Sequence, residues 1–286
     1  MKKEKGILII ATENPYYGRM ALNLCVSIKA VEDFPVAIAI SGASLSHLSE
    51  KQKSVFDEII VTTQTKGVGA KVKMYDLSPF EKTLYIDADN IWLPMRKPSD
   101  FFKGLEGVEF AIPIEGKISL NTGVNHLREN YTMWGDFTQI MTAYELKELY
   151  QMRTEIVYFI RSEKMENFFE MVKTIYENPK TETVEFGGSV PDEYAFNIAA
   201  AITETLPYRE NWQPAYWRAL KLGERIPTLA DLYTDYVVLS TGGLRQRPEI
   251  ERIYNNIAAA AHEKMRMQYL FKLQPKRMHV KERRFF

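Results

Sequence analysis

Ser78-Pro79-Phe80-Glu81-Lys82-Thr83-Leu84-Tyr85-Ile86-Asp87-Ala88-Asp89 is the stretch from which the fold can be read. Thr83–Ile86 reads as a buried strand, and it runs directly into two acids spaced i, i+2. In extended backbone such residues point to the same side. Asp87 and Asp89 are therefore placed to share one hard cation, directly or through water. Mg2+ or Mn2+ bound this way takes one or two carboxylates and leaves positions for substrate phosphates. A bare D-x-D arises by chance in many chains, and its place after an apolar strand is what gives it weight. The plain alternative is an exposed acidic turn after an edge strand. An apolar strand followed by D-x-D also opens phosphotransferases whose first Asp is a nucleophile. That motif sits on the first strand and continues with Thr or Val; here several strands precede it and Asn90 follows.

Upstream, strand and helix patterns alternate. Gly6–Ala11 and Val36–Ile40 read as buried strands, with helical spacing over Arg19–Val31 between them. Ser49–Asp57 reads as a short helix before a strand over Glu58–Val61. Such alternation predicts an α/β fold, a mostly parallel mixed sheet flanked by helices. In that architecture the ligand crevice lies outside the carboxyl ends of the strands. The first strand ends at Ala11-Thr12-Glu13-Asn14-Pro15-Tyr16-Tyr17-Gly18. This is neither form of glycine-rich phosphate loop. It does place polar groups and a ring, Tyr17, where a base could stack; a Pro-Tyr turn packed on the sheet is the alternative.

Downstream, Glu109–Pro113 and Ile156–Ile160 read as strands. Ser162–Tyr176 reads as an amphipathic helix with Phe168, Phe169, Val172 and Ile175 on one side, closed by Asn178-Pro179. Pro191-Asp192-Glu193 opens a helix through Ala201, with proline and acids suited to a helix start. Val237–Ser240 is a late strand before the Gly242-Gly243 turn, and Glu249–Met267 a long helix. With no internal repeat and no Gly/Ser linker, the chain reads as one domain over residues 1–245. Its halves are residues 1–95 and 96–245. A helical, basic extension follows over 246–286.

Composition bounds the function. The chain has 286 residues, 45% apolar and 26% charged, which excludes collagen-like, low-complexity and disordered classes. Equal numbers of basic and acidic residues, 37 each, argue against a general nucleic-acid coat. The charge is segregated, however: His262–Phe286 carries eight Lys/Arg against two acids. Tyr269, Phe271, Phe285 and Phe286 are interleaved with these charges. A solvated tail packing a few rings is one reading; a surface for phosphate, nucleic acid or an anionic membrane is the other. The single cysteine, Cys25, excludes an internal disulfide and a multi-cysteine zinc site, and reads as a small buried side chain. The four histidines leave little for a histidine-built metal centre. No run approaches the roughly 18 apolar residues of a membrane span, and Ile7–Ala11 is too short for a signal-peptide core. The expectation is a soluble, cytoplasmic protein.

In order, these pieces resemble the glycogenin-like (family 8-like) glycosyltransferases of the GT-A nucleotide-diphospho-sugar transferase superfamily. There a first strand ending in Thr is followed by Asn-x-x-Tyr and an Ala-Leu-x-Leu-x-x-Ser-Leu helix. Asn14, Tyr17, Ala21, Leu22, Leu24 and Ser27 stand at matching spacing, with Ile28 for the last Leu. A Lys- or Arg-bearing helix and a strand ending in Leu-Asp-x-Asp are matched by Lys71, Lys73 and Tyr85–Asn90. A later Asp-Gln or Asp-Glu with Asn a few residues on is matched by Asp192, Glu193 and Asn197. The three blocks span about two-thirds of the chain.

Two departures stand out. The family's mid-chain Asn-Ser-Gly or Asn-Ala-Gly, which touches the sugar, has two candidate counterparts. Asn121-Thr122-Gly123 carries the letters, and Arg153-Thr154-Glu155 has the strand-then-helix context. The family's C-terminal His-x-x-Gly-x-x-Lys-Pro-Trp supplies a third metal ligand. Here Val238–Pro248 holds that place without a His. Ser240 or Thr241 is left as a weaker ligand, and Arg245 or Arg247 as a holder of the diphosphate.

The resemblance implies transfer of a hexosyl or pentosyl group from a nucleotide-diphosphate donor, a UDP-sugar expected first, to a hydroxyl with retention. It implies Mn2+ or Mg2+ at Asp87 and Asp89. Nucleotide contacts fall to Ala11, Thr12, Asn14, Tyr17, Lys71, Asp87 and Ala88, and to Arg245 and Arg247. Asp192 and Glu193 face the sugar as catalytic acids, or simply cap their helix. Asn121, Thr154, Glu155 and Asn197 are the sugar or acceptor contacts. The acceptor is open: glycan, glycolipid, protein, or a hydroxylated base in viral DNA tracked by the basic tail. Fold does not choose among them. A nucleotidyltransferase on the same fold would carry a glycine-rich loop after strand one, which Ala11–Gly18 lacks. A degenerate sugar-nucleotide-binding protein is the non-enzymatic alternative.

Overall fold

The computed structural model describes residues 3–12, 14–63, 68–119, 131–132, 134–183, 189–209, 212–217, 228–243, 245–246, 248–269 and 271–275. Its central sheet is built on β1 (Lys3–Ala11), whose residues from Gly6 onward are all buried. β2 (Val36–Ser41) pairs with one edge of β1 and β3 (Glu58–Thr62) with β2, all parallel. β4 (Phe80–Asp87) pairs parallel with the other edge of β1, setting Gly6 against Thr83 and Ile10 against Asp87. A short strand, β5 (Asn90–Trp92), follows the acidic turn. Beyond β4 the sheet turns antiparallel through β9 (Ile156–Ile160) to the edge strand β6 (Phe110–Ala111). Spatial order is β3-β2-β1-β4-β9-β6.

The alternation of side chains along β1 makes two core layers. Ile7, Ile9 and Ala11 face one layer, with Leu24, Val26 and Ile28 of α1 (Pro15–Val31). Leu8 and Ile10 face the other, with Phe168, Phe169 and Val172 of α2 (Glu163–Glu177) and Phe196 of α3 (Asp192–Ile202). With both faces covered, the inner strands read as continuous apolar runs. Gly6 is required by close approach, since a Cβ there would lie 2.3 Å from the wholly buried ring of Phe80.

Two small sheets flank this core. β7 (Ile114–Ser119) pairs antiparallel with β8 (Glu148–Met152). β5 pairs antiparallel with β11 (Val238–Ser240), which runs parallel to β10 (Ala215–Trp217). α4 (Pro248–Lys264) packs on α1 through Ile253, Tyr254 and Ile257 against Met20. Asn23 fastens this contact. Its amide donates to the Tyr254 hydroxyl and the Phe271 carbonyl, both at 3.3 Å, and its Oδ1 lies 2.9 Å from His262 Nε2.

Three sequence readings are corrected. Ser49–Asp57 is not one helix. The Ser49 capping box closes a single turn, Glu50–Lys53, and the chain then bends into β3. The Glu109–Pro113 strand shrinks to Phe110–Ala111, since Pro113 offers no N–H to extend a ladder. Pro191 is the residue before the first turn of α3 rather than within it. Cys25 is fully buried, and burial pushes its thiol above the usual range. Among the described residues no helix is long and apolar enough to cross a membrane.

Candidate active site

β1 and β4 are sheet neighbours, yet the strands that extend the sheet from them lie on opposite sides. A crevice opens where strand order reverses in this way, at the carboxyl ends. A cleft of about 370 Å3 occupies that point. Ala11 and Thr12 enter it from the end of β1, and Tyr17 from the first turn of α1. Asp87, Ala88 and Asp89 enter from the end of β4, and Lys71 from a single 3-10 turn upstream. Thr154 and Glu155 come from the segment between β8 and β9, Asp192 and Glu193 from the start of α3, and Ser240 from the end of β11. Segments far apart in sequence thus converge on one concavity.

Lys71 is its hub. The ammonium lies 2.8 Å from Asp192 Oδ2, 3.0 Å from Asp87 Oδ2 and 3.2 Å from the Thr154 hydroxyl. Burial works against its charge, but Asp192 and Asp87 outweigh burial and hold its pKa well above the lysine value. The Tyr85 hydroxyl donates to the second oxygen of Asp87, and the Thr154 hydroxyl donates to Asp192. Burial still raises Asp87 despite Lys71 and Tyr85. Asp89 is pushed up to about 7 by burial and by the charge of Asp87, with the Gly243 N–H opposing. Burial and Asp192 push Glu193 up to about 8. Burial lifts Glu155 to about 6 against the pull of Arg153.

The turn after β11 is shaped for this. Gly242 and Gly243 have φ of +57° and +121°, where glycine is favoured. The Thr241 hydroxyl lies 2.8 Å from the carbonyls of both Asp89 and Gly243, so it braces the turn. Of the two hydroxyls singled out in the sequence, Ser240 is the one lining the cleft.

The relationship to known proteins lies in the fold. No family model and no curated protein matches this chain. It superposes on the bifunctional glycosyltransferase WbbM with a TM-score of 0.53 at 11% identity, over 94% of this chain and 52% of that one. It superposes on apo GlyE, a glycosyltransferase of Streptococcus pneumoniae, with a TM-score of 0.50 at 10% identity, over 92% of this chain and 63% of that one. A third solved structure, an active-site mutant of LgtC, gives a TM-score of 0.48 at 12% identity, over 89% of this chain and 95% of that one. The chain has the GT-A glycosyltransferase fold. It spans about half the length of WbbM and just under two-thirds of GlyE.

Other sequence-chosen residues lie elsewhere. The Asn14 side chain caps α1, accepting the Tyr16 N–H at 2.9 Å. Asn197 is wholly buried behind the cleft; its Oδ1 accepts the Met152 N–H at 2.7 Å and its amide donates to the Glu193 carbonyl. Asn121 and Arg247 lie outside the described residues, as does the tail from 276 onward, and Arg245 is placed only as a strand position.

Sequence reasoning named Arg153 only as the first residue of a candidate sugar-contact segment and gave no site role to Glu115, Gln151 or Trp134; all four line the cleft. Arg153 Nε lies 3.2 Å from Glu155 Oε2, and its Nη1 lies 3.1 Å from Glu115 Oε1. The Glu115 partner comes through the β7–β8 pairing, which no local motif announces. Gln151 Oε1 is buried without a hydrogen-bond partner among the described residues.

Proposed function

We propose that this protein is a metal-dependent glycosyltransferase that moves a sugar from a nucleotide diphosphate, UDP first, to an acceptor hydroxyl with retention. Its charge balance carries the reading. Among the described lining residues six carboxyl groups, of which all but Glu193 (Asp87, Asp89, Glu115, Glu155 and Asp192) can carry charge near neutral pH, face two cations, Lys71 and Arg153, both already ion-paired. A diphosphate entering such a field without a cation would be repelled.

The donor set fits a hard divalent ion. Among the described residues no three or more His, Cys, Asp and Glu groups could hold a metal. An ion here would rest on Asp89 and Asp87 and on oxygens brought by the ligand, as Mg2+ and Mn2+ sites with phosphates do. Asp89 is the better ligand, because Lys71 and Tyr85 already engage Asp87. When bound, the ion would neutralise the diphosphate as it leaves.

The chain's own residues would do the rest. Tyr17 would face the base, and Thr12 and Ala11 its approach to the sheet. Lys71 and Thr154 hold Asp192 with one oxygen fixed, leaving the other for sugar hydroxyls. Glu193, protonated at neutral pH, would donate a hydrogen bond to a sugar or acceptor oxygen, as carboxylic acids do in glycoside chemistry. Gln151 Oε1 is a buried acceptor suited to a ligand hydroxyl. The charge balance also favours a neutral glycan, glycolipid or protein hydroxyl over a DNA strand as acceptor.

The test is thermal stabilisation by UDP, GDP, ADP and CMP, each with and without Mn2+. Stabilisation by UDP that needs Mn2+ and is lost in Asp87→Asn/Asp89→Asn supports the reading. No response to any nucleotide refutes it.

A further inference from the structure

Arg153 is a buried guanidinium in the wall of the cleft, on the segment between β8 and β9, and no step of the proposed transfer uses it. A guanidinium is the side chain best matched to a carboxylate, through its planar fork of N–H donors. Here the fork is turned onto the chain's own acids. Nε lies 3.2 Å from Glu155 Oε2, and Nη1 lies 3.1 Å from Glu115 Oε1. Glu155 comes from the residues just before β9 and Glu115 from β7, so two separate segments close on one cation.

This trio faces the place of the sugar. Glu193 feels the charges of both Glu155 and Arg153, and Glu155 feels those of Asp87 and Lys71. Glu155 is therefore within electrostatic reach of the acidic turn after β4 and of the start of α3. The field left for a sugar there is negative. A divalent ion and the diphosphate it holds largely offset each other. Among the described lining residues, five carboxylates able to carry charge near neutral pH then remain against Lys71 and Arg153. The unused hydrogen-bonding capacity has the same character. Gln151 Oε1 is a buried acceptor with no hydrogen-bond partner among the described residues. Sugar hydroxyls can donate to such a wall. A sugar carboxylate has no proton to give and is repelled.

We infer that the cleft selects a neutral sugar over the corresponding uronic acid, and that Glu115 and Glu155 set this choice by occupying Arg153. The inference rests on the sugar-nucleotide reading of the cleft and adds to it the class of sugar. Placing like charges against a competitor is one of the two routes to specificity. It also makes the preference reversible. With both acids neutral, Arg153 becomes a carboxylate site in the same wall.

The test is calorimetric titration of the full chain with matched donors at pH 7.5 in Mn2+. The pairs are UDP-glucose with UDP-glucuronate, UDP-galactose with UDP-galacturonate, and GDP-mannose with GDP-mannuronate. The members of each pair differ only at C6, a hydroxymethyl against a carboxylate. The neutral member should bind about tenfold more tightly or better. Glu115→Gln/Glu155→Gln, which keeps the shape of both side chains, should cut that ratio about tenfold by tightening the uronate. Adding Arg153→Gln should abolish this gain, since the guanidinium holds the carboxylate. Circular-dichroism melts show whether the variants fold, and the wild-type ratios need no variant. Equal affinities within the pairs that bind, or a preference for the uronate, would overturn the inference and leave the sugar-nucleotide reading standing. So would a folded double variant that keeps the wild-type ratio. Failure of every nucleotide sugar to bind, with UDP and GDP silent as well, would overturn both.

Discussion

Lys71→Met tests the central arrangement of the cleft. Its ammonium touches two carboxylates at 2.8 and 3.0 Å, and the three side chains are 14%, 4% and 23% exposed for Lys71, Asp192 and Asp87. At an effective dielectric constant of about 20, each contact represents roughly 6 kcal/mol of gross attraction. Desolvation of the ammonium, relieved in the variant, offsets most of that. Removing one partner of a buried pair costs about 3–5 kcal/mol, because a charge is left uncompensated. The expected loss is therefore about 3–5 kcal/mol at pH 8. Acid should reduce it. Without Lys71, Asp87 holds its proton more tightly in the folded state than in the unfolded state, so the variant regains stability as pH falls. Urea unfolding followed by tryptophan fluorescence at pH 8 and pH 5.5, in a chelator, measures both effects. A loss below about 1 kcal/mol at pH 8, or one unchanged at pH 5.5, would refute the hub. Adding Asp192→Asn to the variant should recover part of the loss.

Asp89→Asn should raise the melting temperature at pH 8 while abolishing Mn2+-dependent stabilisation by nucleotide. Asp89 is pushed up to about 7, so its ionisation costs the folded state stability as pH rises from its unfolded value through 7, and the gain should vanish near pH 4. For the wild type, Mn2+ affinity measured by titration should fall about tenfold per pH unit below 7 if one proton is displaced; a flat profile contradicts the ligand assignment. Asn197→Leu leaves the buried Met152 N–H without its acceptor, while the Glu193 carbonyl keeps its bond within α3, and should cost about 1–3 kcal/mol in urea unfolding. Gly6→Ala should cost about 1–3 kcal/mol by overpacking, and Phe80→Leu should suppress most of that cost in the double variant; additivity of the two would show that the ring is not the obstacle.

The sequence carried the half of the site that is local. Gly6–Ala11 of β1, Val36–Ile40 of β2 and Leu84–Ile86 of β4 are apolar runs because both sheet faces are covered there, and Asp87 and Asp89 follow the last of them. Asp192 and Glu193 were legible through the helix start they share. What stayed hidden depends on pairing at a distance. The Arg153–Glu115 contact exists only because Gly116 and Gln151 sit opposite each other across two strands without a strong pattern of their own. β5 and β10 are three residues each, too short to show a period. Asn14 and Asn197 were chosen for their spacing, but spacing cannot tell a side chain that reaches a ligand from one that satisfies backbone. Asn14 caps a helix and Asn197 braces a loop.

The Asn197 brace makes the interior readable by isotope. Its side chain joins the Met152 amide to the Glu193 carbonyl, so α3 and the segment that carries Arg153 to Glu155 are mechanically one piece. The Met152 amide cannot exchange its hydrogen for deuterium until that piece comes apart. Its exchange rate therefore reports how often the contact between α3 and the end of β8 opens. A single backbone proton at the wall of the cleft clocks how firmly α3 is held against it.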